Sequence, residues 1–404
     1  MAHRGSFLVV FLVAFGVTTA LTPLCRWLSL RLNVVTLPGP RRVNTTIQPM
    51  LGGLAMLAGF LVAFGVAWRM SDFSEMFSAS SVPLAVVLAA ICMCGVGTYD
   101  DVRELSAPAK TAGMVLSGSI LYLLGVSMIF LRIPFAGILV LSSDWAPLIT
   151  VLWVLGMANA INLVDGLDGL AAGIVAIAAG SFFVYGYKLT VAGTLAFDNP
   201  SPLIAAIVCG ICLGFLPHNF HPARVIMGDG GALMLGLLMA ASTMLVGGQN
   251  DDPFSGQVYF LYAPLLIPIL ILGVPILDTA WAIIRRTRSG TSPAVADKGH
   301  LHHRLMNLGH GQLRSVLILW MWTFLLSGFV LYPVFTGKGD AVVPIGVAAL
   351  GLLLYTYLHP RARKTRGAAG DGAKDPIVEV FGDPGDVPAD GTKAVSGAEP
   401  AGPH

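Results

Sequence analysis

Charge is what this chain has least of. Only 11% of its 404 residues are Asp, Glu, Lys or Arg, against about 25% in an ordinary soluble domain. That excludes a water-soluble globule. With 55% hydrophobic residues and a mean hydropathy of +0.77, the sequence reads as an integral membrane protein. The formal net charge is only +2, which by itself says nothing about a nucleic-acid partner, and none is expected. Cysteine is scarce as well. Cys25, Cys92, Cys94, Cys209 and Cys212 lie in or beside apolar runs, where a small thiol is an ordinary packing residue. No internal repeat of fixed period is visible, which argues against a repeat-built transporter.

What is abundant is long apolar sequence. Eleven segments, at roughly 5–25, 50–68, 82–99, 111–131, 145–161, 169–187, 202–217, 231–248, 258–284, 315–335 and 341–358, each suit a helix crossing a bilayer. The expected fold is therefore all-α, with about eleven transmembrane helices. The first run lacks a small-residue cleavage site before a soluble domain and is read as a span. Residues 1–358 form the polytopic membrane domain. Residues 359–404 start basic, continue rich in Gly, Pro, Ala and Asp, and are expected to be a disordered cytoplasmic tail.

Basic residues set the orientation. Taking the loops alternately, one set holds nineteen of the 24 Lys and Arg, among them Arg26, Arg41, Arg103, Lys110, Arg224, Arg285 and Arg304. The other holds Arg4, Arg69, Arg132, Lys188 and Lys338. The first set is expected to be cytoplasmic, with the N-terminus outside and the C-terminus inside.

Against this apolar background the polar residues fall in four islands. Asp100-Asp101 closes the third run. Asn159-Ala-Ile-Asn162-Leu-Val-Asp165-Gly-Leu-Asp168-Gly-Leu-Ala-Ala-Gly173 joins the fifth and sixth. Its Asn159, Asn162, Asp165 and Asp168 recur every third residue, a spacing that on a helix shares one face. Asn219-Phe-His-Pro-Ala-Arg-Val-Ile-Met-Gly-Asp229-Gly-Gly joins the seventh and eighth. Asp297-Lys-Gly-His300-Leu-His302-His303-Arg304 lies between the ninth and tenth. All four belong to the basic side, so one site facing the cytosol and floored by membrane is expected.

The residue types define its chemistry. Crowded carboxylates need a cation, and oxygen ligands suit Mg²⁺ or Mn²⁺. Lys110, the three histidines and Arg304 suit phosphate. Zinc on the histidines is the less favoured reading, because no Cys lies near and Lys298 and Arg304 favour an anion. Carboxylates for a divalent metal beside cationic donors are the equipment of phosphoryl transfer, and the membrane floor points to a lipid substrate. A transporter is disfavoured, since its ionisable groups would lie near mid-membrane. A non-enzymatic scaffold binding lipid-linked sugars leaves the metal and phosphate residues without a purpose.

These motifs, Asp-Asp at a span end, Asn-x-x-Asn-Leu-x-Asp-Gly-Leu-Asp-Gly-Leu-Ala-x-Gly, Asn-x-x-Pro-Ala through Met-Gly-Asp-x-Gly, and His-Leu-His-His-Arg-Leu, resemble those of the polyprenyl-phosphate N-acetylhexosaminyl-1-phosphate transferases (glycosyltransferase family 4). The His-x-His-His form is similar to the WecA/TagO branch rather than the MraY branch, which takes UDP-MurNAc-pentapeptide. The resemblance covers about residues 5–358. It departs at Ala232, where Ser is common, at Ile226, where Phe is common, and at Pro49-Met50, where many members have Pro-Arg.

The resemblance implies a bacterial plasma-membrane enzyme that joins UDP-GlcNAc to polyprenyl phosphate (decaprenyl or undecaprenyl) in the inner leaflet. Polyprenyl-diphosphate-GlcNAc and UMP are its products, and another UDP-HexNAc is the alternative donor. It implies Asp100, Asp101 and Asp229 as catalytic, with Asp100 positioning or deprotonating the lipid phosphate and Asp101 assisting the metal. Asp229 and Asn162 would hold Mg²⁺ or Mn²⁺. Asn159, Asp165 and Asp168 would bind the nucleotide sugar, and Lys110, His300, His302, His303 and Arg304 the diphosphate. His218 and His221 are expected to be structural. Direct attack by the lipid phosphate is the expected course, and a phospho-Asp intermediate the alternative. A homodimer is implied only by analogy.

Overall fold

The computed structural model describes residues 4–36, 47–133, 137–248, 311–336 and 342–358. They form helices α1 (Arg4–Arg31), α2 (Gly52–Arg69), short α3 (Ser74–Ala79), α4 (Val82–Arg103), α5 (Ala107–Leu123), α6 (Trp145–Val164), α7 (Leu170–Val191), α8 (Ser201–Asn219), α9 (Gly228–Thr243), α10 (Gln312–Thr336) and α11 (Val342–Leu358). Two small antiparallel ladders accompany them: β1 (Val35–Thr36) with β2 (Gln48–Pro49), and β3 (Phe130–Ile133) with β4 (Gly137–Val140). Eight of the described helices are long and apolar enough to cross a membrane, α9 by running on through a π-helical turn at Met244–Gly248. At 17 residues each, α5 and α11 are shorter. The expected run at 258–284, the residues His300, His302, His303 and Arg304, and the tail at 359–404 lie outside the described residues. The chain is an all-α, multi-pass membrane protein.

The bundle is built around α9. Every residue of that helix is buried except Asp229. Helices α4, α6, α2 and α8 pack against it. A helix apolar all round belongs inside a larger assembly, and its Leu, Met and Ala side chains fit that place. Between helices in lipid there is little hydrophobic gain, so close packing and hydrogen bonds must hold them. Small residues supply the first. At the α4–α9 crossing a Cβ on Gly97 would stand 2.5 Å from the Asp229 carbonyl oxygen, so only glycine allows the two backbones to meet there. Hydrogen bonds supply the second: Trp153 Nε1 donates to Thr243 Oγ1 at 2.9 Å, and Ser201 Oγ to the Ser242 carbonyl at 2.9 Å. Each such bond contributes about 0.6 kcal/mol.

The outer helices turn apolar side chains outward. On α10 the exposed Leu313, Leu317, Met321 and Phe324 follow helical spacing and make one stripe. On α1 exposed Leu8, Leu12, Leu24 and Trp27 do the same. Surfaces of this kind suit lipid and are rare on soluble monomers.

One expected span is cut short. The apolar run at 111–131 is helical only to Leu123. Gly125 has a φ of +101°, which the right-handed helix does not accommodate, and the chain leaves through buried Val126 and Met128 into the β3–β4 hairpin. Hydropathy does not register the change, because the residues after the break are apolar too.

Following the chain up and down the bundle gives the ends that matter. The C-termini of α4, α6 and α8 and the N-termini of α2, α5, α7 and α9 come to one end. The loop before α2 is stitched to the loop before α9 by three backbone bonds: Ile226 N to Pro49 O at 2.9 Å, Gly52 N to Ile226 O at 3.1 Å and Gly53 N to Met227 O at 2.9 Å.

Candidate active site

At that end the polar islands meet. Helix α4 brings Asp100 and Asp101 on its last turn, and α5 brings Lys110 on its first. Asn162 comes from the end of α6 and Asp229 from the start of α9. Lys110 Nζ lies between two carboxylates, 2.9 Å from Asp100 Oδ2 and hydrogen-bonded to Asp229 Oδ2. Asp229 Oδ1 accepts from Asn162 Nδ2 at 2.8 Å. These side chains are half-buried, with the Asp229 side chain 30% exposed and Asp100 15%. The site is sheltered yet open, as a diphosphate would require.

Asp229 does not cap its own helix. Met227 is the N-cap residue, and Asp229 is the second residue of α9. The cap is supplied from α4: Asp101 Oδ1 accepts from the Asp229 N–H at 2.9 Å, and Oδ2 from the Gly230 N–H at 3.2 Å. Asp100 points elsewhere, accepting from the Leu105 N–H at 2.6 Å as well as from Lys110. Successive helical residues are turned about 100° apart, and the two neighbours use that angle to serve different partners.

The every-third spacing of Asn159, Asn162, Asp165 and Asp168 is not one helical face. Helix α6 ends at Val164, and Asp165 closes it with φ −73° and ψ 48°. Only the two asparagines are helical. The helix ends before the aspartates are reached. Asn159 donates to the Leu155 carbonyl at 2.8 Å and lies 3.9 Å from Met114 Sδ.

Asp165 is half-buried between α6 and α7. Burial first, then the negative charge of Asp229, Asp101 and Asp168, pushes its carboxyl up to about 8. It therefore holds a proton at neutral pH unless a cation joins the cluster.

Asp168 stands one step back, 5% exposed. Its Oδ2 accepts from the Ala223 N–H at 3.0 Å and lies 2.8 Å from His221 Nδ1, while Oδ1 accepts from Gln48 Nε2 at 3.3 Å. Buried Asn219 completes the junction, accepting from the Gly169 N–H at 3.1 Å and donating to the Val225 carbonyl at 3.0 Å. Three loops are thus tied by two polar side chains. Gln48 and Asn219 received no role in the sequence reading. Asn219 opens one of the polar islands, which was the available signal; Gln48 carried none. His218, expected to be structural, lies with Nε2 3.2 Å from the Thr19 carbonyl.

The structure brings together Asp100, Asp101, Lys110, Asn162 and Asp229, with Asp165 beside them. His300, His302, His303 and Arg304 lie outside the described residues.

Comparison with known proteins bears on this arrangement. Residues 83–247 match glycosyl transferase family 4. The chain is 36% identical over 374 residues to the decaprenyl-phosphate N-acetylglucosaminephosphotransferase of Mycolicibacterium smegmatis, covering 91% of each protein. It is 34% identical over 322 residues to a probable undecaprenyl-phosphate N-acetylglucosaminyl 1-phosphate transferase of Bacillus subtilis, covering 79% of this chain and 82% of that protein. It is also similar, at 33% over 337 residues, to the phospho-N-acetylmuramoyl-pentapeptide-transferase of Desulforudis audaxviator, covering 76% of this chain and 92% of that protein.

Proposed function

The chain belongs to glycosyl transferase family 4, and on that premise we propose that it transfers GlcNAc-1-phosphate from UDP-GlcNAc to a polyprenyl phosphate. The products are polyprenyl-diphosphate-GlcNAc and UMP. The observation that carries this reading is the convergence of Lys110 on Asp100 and Asp229 at the bundle end. Similarity over 91% of a decaprenyl-phosphate N-acetylglucosaminephosphotransferase supports the choice of sugar and lipid. Similarity to the muramoyl-pentapeptide enzyme spans less of the chain. The basic bias of the loops at this end supports a site facing the cytoplasm of a bacterial cell.

The donor set is consistent with a divalent ion. Among the described residues no three His, Cys, Asp or Glu form a ready-made metal cage. Mg²⁺ does not need one, because it is usually held by one or two carboxylates together with waters and substrate phosphates. Asp229 and Asn162 would hold Mg²⁺ or Mn²⁺, with Asp100 close by. When bound, such an ion offsets charge on the reacting diphosphate.

The remaining work falls to the protein's own groups. An oxygen of the lipid phosphate bonds to the β-phosphorus of the sugar nucleotide. The bond from that phosphorus to the oxygen bridging the α-phosphate breaks, and UMP departs with the electron pair. The lipid phosphate, with a second pKa of about 6, is mostly ionised already. Asp100 therefore acts by orienting it rather than as an obligatory base. Lys110 turns its ammonium to the diphosphate. His300, His302, His303 and Arg304 add cationic and hydrogen-bonding contacts there. Asp165, beside the cluster, offers its carboxyl to the nucleotide.

The test is a transfer assay in membranes offering several radiolabelled UDP-sugars. UDP-GlcNAc is expected to give a lipid-soluble product with release of UMP. Excess chelator should stop the reaction and Mg²⁺ restore it. Product from UDP-MurNAc-pentapeptide and none from UDP-GlcNAc overturns the sugar assignment. Undiminished turnover in chelator removes the metal.

A further inference from the structure

Asp101 has both carboxylate oxygens on the backbone of another helix. We infer that it is a positioning residue, acting on the reaction through the N-terminus of α9 and not by touching metal or substrate. The consequence for turnover rests on the function proposed above. The structural statement does not.

The first amides of a helix have no partner inside it, and the helix dipole makes that end attractive to an anion. In α9 the amides of Asp229 and Gly230 point at the same carboxylate, one to each oxygen, at 2.9 Å and 3.2 Å. Such amide-to-carboxyl bonds are directional. Two bonds to one rigid carboxylate fix where α9 begins and how its first turn is rotated. That rotation aims the Asp229 side chain at Asn162 and Lys110.

The surrounding glycines are what that clamp needs. Gly228 has a φ of +65°, and a Cβ there would stand 2.4 Å from Asp101 Oδ2 and 2.6 Å from the Met50 carbonyl oxygen. Any larger residue would push the carboxylate off the amides. Gly97, one turn before Asp101 on α4, lets the two helices cross closely enough for the bonds to form. The two adjacent aspartates therefore divide the work. Asp100 faces Lys110 and the open site, and Asp101 holds the neighbouring helix in register.

Hydrogen–deuterium exchange on the full chain in detergent tests this, read on the peptide covering 227–231, alongside kcat and KM for UDP-GlcNAc. In Asp101→Ala, exchange of the Asp229 and Gly230 amides should rise about tenfold as the local opening becomes easier. Peptides from α7 and α8 should exchange at the wild-type rate. Asp101→Asn keeps one acceptor oxygen and should fall between wild type and Asp101→Ala. Asp100→Ala should leave the 227–231 peptide unchanged. In the Asp101 variants kcat should fall while KM for UDP-GlcNAc stays within about threefold, the mark of a displaced reacting group rather than a lost substrate contact. Wild-type exchange at 227–231 in Asp101→Ala, with turnover lost, overturns the inference and makes Asp101 a direct participant. Equal acceleration across α7 and α8 overturns it too, by making Asp101 a general stability residue. If the wild-type protein transfers no GlcNAc-phosphate, the proposed function fails while the exchange result still stands.

Discussion

Two regions of this molecule collect carboxylates, and they hold them in opposite ways. At the crossing of α4 and α9, Asp100 and Asp229 keep oxygens on a cation, Lys110, in a half-buried place. In the α6–α7 turn, Asp168 is buried and bound on both oxygens by Gln48, His221 and the Ala223 amide. Asp165 lies between these extremes, with no cationic partner among the described residues, and is pushed up to about 8. A carboxylate tied on both oxygens to the backbone and side chains of neighbouring loops is a fastener. One whose partner is an ammonium that a ligand can replace is equipment. The local sequence Asp-Gly-Leu-Asp does not distinguish the two.

The largest effect expected from breaking this contrast is at the crossing. Asp229→Ala should cut turnover about a thousandfold or more, by removing the carboxylate that would hold the divalent ion and that positions Lys110 for the diphosphate. Insertion and yield should be unaffected. Assay of lipid-linked product against protein amount checks this; wild-type turnover would remove Asp229 from the site.

At the turn the effect should appear in stability. Asp168→Asn replaces an acceptor by a group that also donates, leaving the Ala223 amide or Gln48 poorly met. The cost should be about 1–3 kcal/mol, read as a lowered melting temperature in detergent. An unchanged melting temperature would mean that Asp168 is not a fastener.

The smallest effect concerns Asp165 and pH. Its folded-state pKa, about 8, lies above the ordinary 3.8. Its contribution to stability is thus fully present below about pH 4 and is lost as pH rises through 8. Asp165→Asn should flatten the decline of melting temperature across that window, in protein freed of divalent metal. A decline as steep as in wild type would show that another group titrates there.

The sequence made the spans legible, because runs such as Phe7–Ala20 and Leu203–Phe215 can only be membrane helices or deep core. It also named the polar islands, since an ionisable residue stands out against grease. It hid what depends on distant backbone. That Asp101 would bind the amides of Asp229 and Gly230 rests on α4 and α9 crossing at Gly97, a contact between residues 128 positions apart. The β3–β4 hairpin was hidden for another reason: its residues are as apolar as the helix before it. The three-residue rhythm of Asn159 to Asp168 misled, because periodicity assumes a helix that the turn had already ended.

The central claim is that sugar and phosphate move together to the lipid. UDP-GlcNAc labelled with ³²P in the β-phosphate and ³H in the sugar, given to membranes with decaprenyl phosphate, measures that directly. The account predicts both labels in the lipid fraction at the ratio of the donor, with UMP released. Tritium in the lipid without ³²P, and UDP as the leaving product, would contradict it.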